Sequence, residues 1–544
     1  MKLDRRHEAD AASAAGNRAG SRRPIAVRAS TALLLLLLVA GCFAGCGGGS
    51  SSGGEATGDG DSAGSVLRVG VKNAPSSPNP AKVALQGAGS AIFLSLAYAP
   101  LLHATPEGEI QPALAESWRY LDSGGKKNQV FELTLREGAK FADGSPVNAA
   151  AVVKWLNYFI KSPNPFNAVL GENPKFTATD SRTVRVTLSG PNPQLPRLLS
   201  DAGPNIGFVM SPAAIDNPKL LVKETAGAGP YMLDSQRTVG GDHYTYVLNP
   251  NYYGDEVDRY EEVVVRVIAE ATSRLQTASA GQLDLTEGDY ATDTSAESAG
   301  LEVVSEPTEI YFYALDMVYG SAPELKDIRV RKALNLAIDR EAISEALFKG
   351  GALPTSAFIP ADVDAGLEDY WGYDPEKAKQ LLKEAGYEDG LTLSAISAGQ
   401  SGGSAGEPML RAVAKNLEEV GVKLDITTYP NETEFVEAIF AYESGLTALT
   451  AGVATTTENW GIFFAPKAIA NFFGDDPQME KFYDAGLVAA DPEDSWRQLY
   501  ERYTSQAYVL PVAALSLSYY VSDSVGGVSI GKRLGPVATE WFPK

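Results

Sequence analysis

The sequence predicts a mixed α/β protein built from more than one domain. Three observations carry that expectation. Short runs alternating apolar and polar residues are interleaved with capped segments of helical period. The chain has 544 residues, about three times the usual size of one compact domain. At 44% hydrophobic and 21% charged, its composition is that of an ordinary globular protein.

A leader precedes the body. Arginines as far as Arg28, the apolar run Ala32–Ala40 and then small residues have the order of a secretory signal. The apolar run would be roughly 14 Å long as a helix, about half the hydrocarbon thickness, so it is too short to span a bilayer stably. Val39-Ala40-Gly41-Cys42 resembles a bacterial lipobox, which makes residues 1–41 a cleaved signal peptide and Cys42 the lipidation site. Phe43-Ala44-Gly45-Cys46 fits that pattern less well, because Phe43 stands where a branched aliphatic is usual. Ser21-Arg22-Arg23-Pro24-Ile25 leaves twin-arginine export open beside the general secretory route. Gly47–Gly64 has no apolar face, so residues 42–65 read as lipidated cysteine plus flexible tether, with a reach of roughly 23 Å.

From Val66 onward strands and helices alternate. "VLRVGV" (66–71) reads as a strand ending in the loop "KNAPSSPNP". "QVFELTLREG" and "TVRVTL" each keep one apolar face by period two. "SPVNAAAVVKWLNYFI" reads as an amphipathic helix capped near Ser145-Pro146. In "YDPEKAKQLLKEAGY", Asp374 caps, Pro375 takes the first helical position and Gly386 supplies the left-handed stop. "RVRKALNLAIDREAISEALFKGG" gives two helices, the second capped by Asp339 and stopped near Gly350, and "RAVAKNLEEVGVKLDIT" a helix then a strand.

Composition removes several kinds of chemistry. Residues 1–41 hold seven basic and three acidic residues, so the rest of the chain carries −26 of an overall −22. A body so acidic repels nucleic acid and anionic lipid headgroups. Cys42 and Cys46 are the only cysteines, so the body has no disulfide and no thiolate nucleophile. It has two histidines, His103 and His243, too few for a histidine metal site. No phosphate loop, nucleophile elbow or His-Glu-x-x-His motif occurs. Ser123-Gly124-Gly125-Lys126 matches Ser-x-x-Lys, but its two glycines favour a turn over the helix that motif needs. Gly227-Ala228-Gly229 precedes Pro230 and no helix, so it is not a dinucleotide fingerprint. No enzyme activity, cofactor or protein-held metal is expected.

Six motifs in order then resemble one family. They are "PALAESW" (112–118), "FELTLREGAKFADGSPV" (131–147), "GAGPYML" (227–233), "NPNYYGD" (249–255), "IRVRKALNLAIDR" (328–340) and "YDPEKAKQLLKEAGY" (373–387). Together they resemble the extracellular solute-binding proteins of family 5, which feed peptide, nickel and oligosaccharide ABC importers. The resemblance implies a periplasmic-binding-protein-like clamshell of type II, with two lobes, a bipartite hinge and an extra domain inserted in lobe I. By analogy lobe I would be 66–104 with 216–307 and 516–544, the insertion 105–215, and lobe II 308–515. It implies a receptor, acting as a monomer, that captures a peptide or peptide-like solute by closing and delivers it to a permease outside the cytoplasmic membrane. Only the lipid would touch that membrane. Arg329 and Arg331 would tie helix starts to their neighbours, and Gly229-Pro230 would shape a turn.

Candidate ligand contacts fall in three segments. Asn73, Ser76 and Ser77 lie in the loop resembling the family's early contact loop, where a polar turn is the plain alternative. Tyr311 and Tyr313 share a strand face at the expected hinge, where core packing is the alternative, and Asp316 stands where relatives typically have Asn. Glu458, Asn459 and Trp460 complete the set. Peptide-binding members often carry an Asp soon after this Trp to hold the peptide ammonium; here the sole nearby acid is Glu458, on the other side. That departure argues against reading a free amine through this segment. The aromatic surroundings instead suit an apolar peptide or a sugar face, and a chelated metal would need no histidine. Two other readings use the same residues: a clamshell sensor signalling to a membrane regulator, and a secreted hydrolase, which no residue recommends.

Overall fold

Two long strands organise the molecule. Glu302–Leu315 and Val509–Val521 pair antiparallel, from Glu302 opposite Val521 to Ala314 opposite Val509. The computed structural model describes residues 66–544 except 76, 83–87, 163–169, 172, 255–258, 350, 361–362, 399–405, 430–431, 453–454, 467, 469, 490 and 533–534. The leader, Cys42, Cys46, the tether, Ser76 and Gly350 therefore lie outside the described residues.

One eleven-stranded sheet is built on this pair. Beside the Val521 end come Leu285–Glu287, Val66–Val71, Glu262–Val267, His243–Leu248 and Tyr231–Leu233 in that order. Beside the Ala314 end come Leu446–Gly452, Leu391–Ala398 and Val422–Tyr429. Within each wing the strands following the crossing pair are parallel: 66–71 with 262–267 and 285–287, and 391–398 with 422–429 and 446–452. The pairing slips between Pro307 and Glu309, so Thr308 has no partner across the ladder. Each wing is one lobe of a clamshell.

The lobes have separate cores. One apolar cluster joins Leu67, Val69, Val263 and Val265 of the first lobe to Phe131, Trp155 and Val186 of a four-stranded subsheet. That subsheet, ordered 115–123, 126–135, 183–187 and 175–178, packs with the helix Ala149–Lys161. In the second lobe the crossing strand feeds two cores by period two. Tyr311, Tyr313 and Leu315 enter one, Phe312 and Ala314 the other.

Local chemistry explains most element ends. Asp374 accepts from the Lys377 N–H at 2.8 Å and Asp339 from the Ala342 N–H at 2.9 Å, so both cap as read. The Ala149–Lys161 helix corrects the reading. Asn148 caps it, accepting from the Ala151 N–H at 2.9 Å, whereas Ser145 bonds to Asp143. Asn148 precedes a run of three alanines, the first point at which nothing opposes the helix. The helix Arg340–Phe348 ends on Lys349 in the left-handed region (φ 50°). Gly124 and Gly125 turn the hairpin between 115–123 and 126–135 with φ of 65° and 82°, so Ser123–Lys126 is a turn. Gly227 and Gly229 let backbone meet backbone, since a Cβ at either would overlap Ala97. Arg329 donates to Glu384 O, and Arg331 to Leu325 O and Gln506 O, holding the start of their helix.

One ion pair should be visible in stability. His103 faces Asp201 at 2.6 Å and Glu540 at 3.3 Å, joining the first lobe's Leu102–Ala104 strand to the C-terminal segment. Burial lowers its affinity for a proton, but the hydrogen bonds to Asp201 and Glu540 outweigh this and raise its pKa to about 9. The unfolded value is about 6.5. A raised imidazole stabilises the fold fully below pH ~6.5 and loses that contribution as pH climbs through ~9. Urea unfolding should therefore show about 1–3 kcal/mol lost between pH 6.5 and 9.5. His103→Gln should be less stable at pH 6.5 and nearly flat over that window.

Candidate functional site

Topology brings one edge of each lobe to the crossing strands. In the first lobe the parallel strands end at Val71, Val267 and Glu287, and Glu287 pairs with Tyr519. In the second they end at Ala398, Tyr429 and Gly452, and Gly452 pairs with Glu309. Both sets of carboxyl ends thus face the slip at Thr308. In α/β sheets, ligands bind outside the carboxyl ends of strands, where connections diverge to either side. The described segments leaving these ends, 72–75, 77–79, 288–292 and 455–460, together with 305–309, form the candidate site.

The first segment is pinned at its far end. Tyr98 donates its hydroxyl to Pro78 O at 2.7 Å, and Asn79 its amide to Tyr158 Oη at 2.8 Å. Ser77 Oγ accepts from the Asn79 N–H at 3.2 Å and is half-buried, whereas Asn73 is exposed. The Lys72 N–H donates to the Glu287 carboxylate, which is buried. Burial raises the Glu287 pKa, against the pull of that N–H and of Arg274 and Lys72.

Glu309 is the residue that sequence reading passed over. It directly follows the slip, and its side chain is exposed. Even so, surrounding protein strips enough water to raise its pKa, with Lys72 pulling the other way. Its place beside the slip puts it where the carboxyl ends of both parallel sets converge. Among the described residues it has no hydrogen-bond or ion-pair partner. Its one sequence signal was an acid opening "EIYFYAL", indistinct among so many acids.

Three candidates are not brought to this edge. Tyr311 and Tyr313 are fully buried and meet edge to face, ring centres 5.7 Å apart; the Tyr311 hydroxyl donates to Gly406 O at 3.4 Å. Their strand face is the one that fills the core. Asp316 lies at the opposite end of the crossing strand, where its N–H donates to Gly445 O. It is buried and accepts from the N–H groups of Val318, Tyr319 and Ser321 at 3.0, 2.7 and 2.8 Å. The carboxylate closes a turn that Asn could not close with both oxygens.

The 455–460 segment does reach the edge. Thr455 and Glu458 form a reciprocal cap: Glu458 Oε2 accepts from the Thr455 N–H at 2.7 Å and its hydroxyl at 2.8 Å. Glu458 is buried. That burial raises its pKa, opposed by Thr455 and by the charge of Arg197. Asn459 is buried too and donates to Tyr500 Oη at 3.3 Å. Trp460 is half-buried and stacks on Tyr483, ring centres 4.2 Å apart and 6° from parallel. Thr457, not singled out from sequence, bonds to Gln194 of the subsheet domain at 3.0 Å (N–H) and 2.6 Å (hydroxyl). Nothing in "PNPQL" announces a contact 263 residues away.

The model of bacterial extracellular solute-binding proteins, family 5 (middle), matches residues 109–484. The chain belongs to this family. It is 28% identical over 426 residues to the glutathione-binding protein GsiB of Escherichia coli O1:K1, covering 74% of this chain and 79% of GsiB. Its fold matches the Escherichia coli murein tripeptide binding protein MppA (TM-score 0.71, 20% identity, 88% and 98% of the two chains). It also matches NikA from Brucella suis in complex with Fe(III)-EDTA (TM-score 0.74, 21% identity, 88% and 100%). As a family-5 member it is an extracytoplasmic substrate-binding protein of ABC transporters, and not an enzyme.

The two acids should separate by experiment. Asp316→Ala leaves buried N–H groups without an acceptor and should cost at least ~2 kcal/mol of unfolding free energy in urea. Glu309→Gln removes an already penalised charge and should leave the urea midpoint unchanged or slightly higher.

Proposed function

We propose that this family-5 protein is a lipid-anchored receptor for a small peptide-like solute bearing a free amine, which it hands to an ABC importer permease. The observation that carries this is Glu309, an accessible carboxylate beside the slip in the ladder that no described residue hydrogen-bonds or ion-pairs, only the charge of Lys72 reaching it. A ligand ammonium would relieve the charge penalty there, and Lys72, whose charge reaches Glu309, would favour a ligand carboxylate beside it. Charge-assisted bonds of this kind are about twice as strong as neutral ones. Glu309 would then do what the Asp missing after Trp460 does in relatives. Trp460, with Asn73 and Ser77, remains a candidate contact beside it; Ser76 lies outside the described residues.

Lobe boundaries fit the same reading. The slip at Thr308 and the facing Leu515–Ser516 coincide with the division into 66–104, 216–307 and 516–544 for one lobe and 308–515 for the other. Residues 105–215 are the inserted domain. Cys42 and its tether would keep a monomeric clamshell within reach of the permease. NikA's bound Fe(III)-EDTA makes an anionic chelate the second reading; the acid at 309 and the −26 body count against it.

Denaturing the mature protein and identifying the released solute by mass spectrometry should give an amine-bearing, peptide-like compound. Calorimetry with di- and tripeptides should show Glu309→Gln weakening binding roughly ten- to a hundredfold, with N-acetylated peptides binding poorly to the wild type. Equal binding of acetylated and free peptides would sink the amine reading. In cells, Cys42→Ser should release the protein into the soluble fraction, while Cys46→Ser should leave it on the membrane.

A further inference from the structure

The lobes are connected covalently only through the crossing strands, yet the inserted domain also grips the second lobe directly. Gln194 Oε1 accepts from both the N–H (3.0 Å) and the hydroxyl (2.6 Å) of Thr457. Asn128 Nδ2 donates to Leu487 O at 3.1 Å.

Both grips spring from one polar bracket. The Gln194 N–H donates to Asn192 Oδ1 at 3.0 Å, and the Asn192 N–H to Asn128 O at 2.8 Å. Tyr120 donates its hydroxyl to Asn192 O at 2.6 Å. Asn128 itself sits in the left-handed region (φ 53°), which Asn tolerates better than most residues. The bracket is therefore held by its own domain, whatever the second lobe does.

The receiving side is equally specific. The first N–H groups of a helix lack intrahelical partners. In the turn beginning at Thr456, Thr455 Oγ1 serves the Glu458 N–H, and that leaves the Thr457 N–H for Gln194. Three residues on is Trp460, at the cleft edge.

We propose that Gln194 and Thr457 form a closure latch, so that docking of the inserted domain positions the Trp460 turn over the solute. Gln194 is then a positioning residue: it touches no ligand and acts through the turn it holds. Any ligand that prefers the closed form strengthens the latch, and the latch strengthens its binding by the same factor. The inference rests on the two-lobed clamshell and is independent of which solute is bound.

The test needs no ligand. In the mature chain with Cys42→Ser and Cys46→Ser, spin labels on Lys127→Cys and Glu480→Cys, both exposed positions, report the gap between the inserted domain and the second lobe by pulsed electron resonance. A short-distance population should be present. Gln194→Ala and Thr457→Val should each lower the closed-to-open ratio roughly five- to thirtyfold, while melting temperatures stay within a few degrees. Gln194→Glu, which keeps both acceptor bonds, should retain more of the short population than Gln194→Ala. An absent short population, or a ratio unmoved by both variants, overturns the latch. So does a loss of the short population seen only together with a large fall in melting temperature, since the residues would then hold the fold instead.

Discussion

Everything in the molecule hangs on the antiparallel pairing of Glu302–Leu315 with Val509–Val521. These strands belong to both lobes at once, so each lobe's parallel strands are ordered outward from the same ladder. Their continuity sets a constraint: the lobes can rotate about the ladder but cannot slide along it without breaking a dozen pairings. The ladder is interrupted twice, at Pro307-Thr308, where proline offers no N–H and Thr308 has no partner, and between Tyr311 and Phe312 opposite Ala513 and Pro511. A hinge made this way keeps the sheet intact while allowing it to twist.

The same constraint places the chemistry. Because the crossing strands run antiparallel to their neighbours on both sides, the carboxyl ends of both parallel sets are brought to the hinge and their amino ends are turned away. Glu309 therefore stands beside the slip, opposite Gly452, and Asp316, seven residues along the same chain segment, stands at the far end capping a turn. Two carboxylates with similar sequence surroundings acquire opposite roles from strand direction alone.

How far this was legible in the sequence depends on the range of the interaction. Caps at Asp374 and Asp339, the Gly-Gly hairpin and the alternation in "FELTL" are settled by neighbours a few residues apart, and they appear as read. The lobed architecture was legible through six spaced motifs, whose residues mostly pack or turn. The site was less so. Tyr311 and Tyr313 have the same period-two signature whether that strand face meets a ligand or a core, and here it meets a core. Glu458 looked like an available acid, although Thr455-x-x-Glu458 has the spacing of a reciprocal cap, and the turn uses it as one. Gln194 and Thr457, 263 residues apart, share nothing that a single sequence could register.

The chemistry of that distant contact suits the body that carries it. With −26 on the chain beyond residue 41, closing the clamshell brings like charges together, and the repulsion changes with the salt outside the cell. An ion-pair latch would have to lose its hydration at every closure, and burying charges costs several kcal/mol each. Amide and hydroxyl groups avoid most of that cost: each side is solvated when open and matched when closed, so the exchange is nearly balanced. A closure contact of neutral hydrogen bonds is therefore weak enough to release and directional enough to set one docked geometry. A receptor that must both hold and hand over its solute requires both properties.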